Sequence, residues 1–80
     1  MAKIYIKTKK DQILEKLRSI RAERDRRLAE TDWLIIRAFE SGSELSEDII
    51  RYRQALRDLP ETLTEEDILS GNINWPEKSF

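Results

Sequence analysis

Residues 21–27 read RAERDRR, with six charged positions and Ala22 as the single small apolar side chain. An 80-residue chain that gives six of seven consecutive positions to charge has few ways to fold around them. On a helix, Arg21 and Asp25, Glu23 and Arg27, and Arg26 and Glu30 stand four residues apart, so each acid meets a base on the next turn. The spacing predicts a solvated helix that pairs its own charges and protrudes or bridges. The acids also weigh against phosphate contact: Glu23 and Asp25 would repel a nucleic-acid backbone, and no aromatic side chain is interleaved to stack on bases. A small nucleic-acid-binding regulator using residues 16–27 is therefore the weakest alternative.

Chain length allows one domain with a small core. Apolar and charged residues each make up 39%, so charge far exceeds the roughly 25% usual in globular domains. Cysteine and histidine are both absent, which excludes disulfide staples, thiolate metal sites and histidine-based acid–base chemistry. With two glycines, both at expected helix ends, there is no phosphate-cradling loop. The acidic run Glu65, Glu66, Asp67 reads as a helix start favoured by the helix dipole. No catalytic constellation, metal site or cofactor site is expected. The charge is polarised: residues 1–30 sum to +5 and residues 31–80 to −6, giving the net −1. Such a chain can pair its halves with each other, with a second copy, or with different partners.

Along the chain, Lys3–Lys7 (KIYIK) alternates, with Ile4 and Ile6 on one side, and predicts a short edge strand able to add to a partner's sheet. Thr8 with Asp11 forms the pattern of a capping box. Ile13, Leu14, Leu17 and Ile20 then make an apolar stripe that fades through 21–27 and resumes at Leu28. The most apolar segment is 31–40, containing Trp33, Ile36 and Phe39. The sequence leaves open whether the first helix runs through Trp33 or whether Thr31 or Asp32 caps a new one. Gly42 is placed for a left-handed helix end.

Ser46 is an N-cap, and Ile49, Tyr52, Leu56 and Leu59 run down one face of a second helix that Pro60 is expected to end. Thr64 with Asp67 forms a second capping box, and Gly71 closes that short helix. Trp75-Pro76 is extended, because a residue before proline avoids the helical region. Residues 77–80 are expected to be loose. Two aromatic readings stay open: both tryptophans fill the core, or Trp75 anchors on a partner. Likewise Arg51, Arg53 and Arg57 are either solvated or fork onto a partner's carboxylates. The fold expected is thus mainly α: a strand-like lead at 1–8, then over 9–80 a long charged helix, two or three shorter helices and an extended Trp-Pro tail.

Three stretches together resemble the phage tail assembly chaperone domain, which closes tail-fibre assembly proteins of tailed phages and prophages. They are the Arg-rich run from Arg26 ending in Thr31-Asp32-Trp33, the Tyr52–Pro60 segment YRQALRDLP, and Trp75–Lys78. The resemblance covers roughly residues 18–78. It implies a non-enzymatic helper that binds a trimeric tail-fibre protein and promotes its folding, trimerisation or attachment. It also implies work in the host cytoplasm during assembly, with retention on the virion tail as the variant. A self-associating adaptor subunit of the tail or baseplate is the main alternative; it is weakened by Arg21 and Arg24, which would sit in a coiled-coil seam. The residues expected to meet a partner are Ile4, Ile6, Ile13, Leu17, Ile20, Trp33, Ile36, Tyr52, Arg53, Leu56, Trp75 and Pro76; of these, Ile13, Leu17, Ile20, Trp33, Ile36, Tyr52, Leu56 and Trp75 are expected to form a partly exposed seam with 21–27 as its solvated back. No membrane contact is expected, since no apolar run approaches a span's ~18 residues, and MAKIYIKTKK lacks the apolar core of a secretory signal.

Overall fold

A computed structural model describes residues 6–78 and 80. One uninterrupted helix, α1 (Lys9–Ser41), carries two shorter ones, α2 (Glu47–Thr62) and α3 (Glu65–Ser70). The charged run does not break α1, because no glycine or proline occurs between residues 9 and 41 and the run's charges pair with one another. Thr31 starts no new helix. Its hydroxyl donates back to the Leu28 carbonyl at 3.0 Å, as mid-helix threonines do when they are not caps.

The helix ends follow local chemistry. Thr8 and Asp11 close a full capping box at the start of α1, and Thr64 and Asp67 do so for α3. The Ser46 hydroxyl accepts from the Ile49 amide at 3.3 Å. Gly42, at φ 71°, lets the Ser43 amide reach back to the Ala38 carbonyl at 2.9 Å, a turn that a residue with a Cβ enters at a cost. Lys16 reaches from α1 to donate to the Leu69 carbonyl at 3.1 Å, covering the open end of α3.

Two expectations are corrected. No strand is present among the described residues. Ile6 and Lys7 have no regular structure, and the remainder of the expected 3–7 strand lies outside the described residues. An isolated edge strand has no sheet here to hydrogen-bond to. Pro60 does not end α2, which continues to Thr62. In the last turn a proline removes one helical bond, and Pro60 is itself buried, so packing offsets that loss.

α2 and α3 each pack on α1 and, among the described residues, not on each other. The two buried residues of α1 are Ile20 and Thr31, eleven positions apart and so about three full turns along one face. Ile20 lies on the α3 side with Ile68, whereas Thr31 lies under α2 with Tyr52 and Leu56. The core is small and the chain elongated. Its radius of gyration is 17.2 Å, against about 12 Å for a compact domain of this length. It exposes 6504 Å², where a compact chain of this mass exposes about 5000 Å².

Candidate functional site

Three local structures organise the surface, and each rests on α1. The first is a buried arginine clamp. Arg53 is 8% exposed. Its Nη1 donates to the Leu28 carbonyl at 2.9 Å and to Thr31 Oγ1 at 2.6 Å, and pairs with Asp32 Oδ1 at 2.9 Å. Its Nε is buried without a partner. The guanidinium thus bolts α2 to the middle of α1 by capturing a carbonyl, a hydroxyl and a carboxylate from one turn. Neither a solvated arginine nor a fork to an outside carboxylate describes it.

The second is the seat of the C-terminal tail, formed by the run that was expected to be a solvated back. Glu23 accepts two bonds from Arg26, at 2.6 and 2.8 Å, and one from Arg27 at 3.0 Å. Arg26 also pairs with Glu30. The helical pairs expected at 23/27 and 26/30 therefore form, while Asp25 pairs with its neighbour Arg24 at 3.0 Å. These bonds, the Arg26 one foremost and then the Arg27 one, pull the Glu23 carboxyl from its ordinary 4.5 to about 2. Onto this ladder the tail docks: the Arg27 guanidinium lies 4.5 Å from the Trp75 ring centre, and Lys78 bonds Glu30 at 3.0 Å. Lys78 foremost, then Arg26, holds the Glu30 carboxyl low. Phe80 meets Tyr52 edge to face, ring centres 5.5 Å apart. The tail is thus tied at Trp75, Lys78 and Phe80, the last two within the 77–80 segment expected to be loose.

The third is a bare apolar stripe. Trp33 is 55% exposed, Ile36 57% and Phe39 88%. The Arg37 guanidinium stands 6.0 Å from the Trp33 ring centre. Trp33 is two residues beyond Thr31, about 200° round the helix from the face under α2. Ile36 and Phe39 follow at three-residue steps.

The expected seam therefore divides. Ile20, Tyr52, Leu56 and Arg53 are buried, and Ile13, Leu17, Trp75 and Pro76 are half-buried, all on the side where α2, α3 and the tail pack. Trp33 and Ile36 are exposed on the opposite side. Ile6 is exposed in the lead, and Ile4 lies outside the described residues. Phe39, the most open of the large apolar side chains, was missed. The signal was available: the stripe Ile13, Leu17, Ile20, continued at helical spacing, passes through Arg24, Arg27, Thr31 and Ala38 and skips Trp33, Ile36 and Phe39. Among the described residues no group of side chains could hold a metal ion, and no helix is long and apolar enough to cross a membrane.

The narrow helical rod keeps its core on one side of α1 and leaves Trp33, Ile36 and Phe39 open. Comparison with known proteins narrows the class. The sequence profile of the family described as phage tail assembly chaperone protein matches residues 17–78, and the chain belongs to that family. It is a tail assembly helper. No curated protein and no solved structure matches it.

Proposed function

We propose that this protein binds a phage tail-fibre protein through the Trp33–Ile36–Phe39 stripe, acting by contact rather than catalysis. It covers apolar surface on fibre chains until they trimerise or attach. The reading is carried by one observation: three large apolar side chains lie open on a helix whose opposite face is already packed. Unassembled fibre chains expose apolar edges that aggregate, and an open stripe flanked by charge covers such an edge reversibly. Trp33 at its N-terminal end supplies the anchor that such contacts favour. The contact would form in the host cytoplasm during assembly, and mass spectrometry of purified particles would show whether the helper stays aboard.

The test is co-expression of the fibre gene with the wild-type chain or with a Trp33→Ala, Ile36→Ala, Phe39→Ala triple variant. Because the three side chains are exposed, the variant keeps its helix content by circular dichroism. The expected result is a several-fold loss of soluble, trimeric fibre. Undiminished fibre with the triple variant would remove the stripe from the contact.

A further inference from the structure

We infer that, without a fibre chain, a second copy of this protein covers the stripe as an antiparallel α1–α1 pair centred on Trp33. The outward face of α1 carries Arg26, Ala29, Trp33, Ile36, Arg37 and Glu40, all exposed. Arg26 lies seven residues before Trp33 and Glu40 seven after. In a reversed copy each Arg26, held on its own helix by Glu23 and Glu30 yet with its side chain 58% exposed, therefore falls opposite the other chain's Glu40, twice by symmetry. Ala29 lies four before Trp33 and Arg37 four after, so the small residue leaves room for the long one. The two indole rings meet at the axis, beside the two Ile36 side chains, where aromatic and aliphatic burial is greatest. An in-register parallel pair does the opposite and sets Arg26 on Arg26, Arg37 on Arg37 and Glu40 on Glu40. Charge thus selects the direction.

One wider feature agrees. The last turn of α1 has no basic residue of its own, and a reversed copy brings the arginines of 21–27 towards that carbonyl end, where the helix dipole favours cations.

The contact from Arg26 to Glu40 spans about 21 Å of helix. That is short of the ~800 Å² per partner of a standard stable interface, so the dimer is weak and depends on concentration. A fibre chain that takes the same stripe displaces the second copy.

Sedimentation equilibrium of the full chain from ~20 µM to ~2 mM is the primary test. The mass should rise from that of a 9.5 kDa monomer towards twice that value. Glu40→Arg should weaken the dimer about tenfold, and Trp33→Glu should leave a monomer throughout. A monomer at every concentration, or a dimer indifferent to both changes, would overturn the inference. Direction is read by oxidation. The native chain has no cysteine, so mixing Ala29→Cys chains with Arg37→Cys chains should give chiefly the mixed disulfide. Chiefly like-with-like disulfides would overturn the antiparallel arrangement. A strict monomer that still solubilises fibre refutes the dimer and leaves the assembly role standing. A dimer whose stripe variants still solubilise fibre does the reverse.

Discussion

Residues 21–27 and 33–39 occupy the same helix and treat burial in opposite ways. The first is charged almost throughout, yet Glu23, Arg24 and Arg27 are half-buried and the run seats the tail. The second holds Trp33, Ile36 and Phe39, and all three face outward. Angle around the helix decides which side chain is covered, and hydrophobicity only decides how much that covering stabilises. Covered charges persist because each has a partner: Arg27 has a carboxylate and an indole, and Arg53 has a carbonyl, a hydroxyl and a carboxylate.

The contrast is broken most forcefully by paired truncations. Leu56 is 0% exposed, so Leu56→Ala should cost about 3 kcal/mol, measured by urea denaturation. Phe39→Ala, a larger truncation, should change stability by less than about 0.5 kcal/mol. If the two cost the same, the assignment of covered and open faces is wrong. Next in size is Arg53→Ala, expected to lose about 2 kcal/mol through the missing hydrogen bonds and the packing of its stem. Arg51→Ala on the exposed flank of the same helix should be close to silent in the same assay. Trp75→Ala should cost about 1 kcal/mol from the lost stack on Arg27. It should also free Lys78, seen as narrowed backbone resonances for residues 72–78.

The smallest effect is on pH. Glu23 and Glu30 have carboxyls held below their unfolded values, so each contributes stability that is lost on acidification, the Glu23 part fading from 4.5 towards about 2. In a Trp33→Phe background, Trp75 fluorescence should therefore shift towards that of a solvated indole over this acid range. Because neither carboxylate is sealed from solvent, ~1 M salt should blunt the change. An indole signal flat from pH 5 to 2 would detach the tail from the ladder.

What could be read beforehand was local. The capping boxes at Thr8 and Thr64 and the left-handed glycines at 42 and 71 involve residues within a few positions of each other, so their chemistry is written in adjacent letters. The bonds that escaped reading join distant residues: Arg53 to Thr31, Lys78 to Glu30 and Lys16 to Leu69. Nothing in the neighbourhood of Arg53 distinguishes it from Arg51 or Arg57 until α1 supplies its acceptors. The outward aim of Trp33 and Ile36 is legible from helical spacing alone, since angle round the helix and not side-chain size sets which residues face the core.

The unbroken run of α1 has a consequence for how such a chain can change length. Ile20 under α3 and Thr31 under α2 keep a common bearing because eleven residues make about three turns. Inserting a single alanine between them would twist one half of the rod by roughly 100° against the other, carrying Ile20 out from beneath α3 or Thr31 out from beneath α2. Insertions and deletions there are tolerable only in steps of about seven or eleven residues, so α1 behaves like a screw thread whose mating parts accept whole pitches and nothing between.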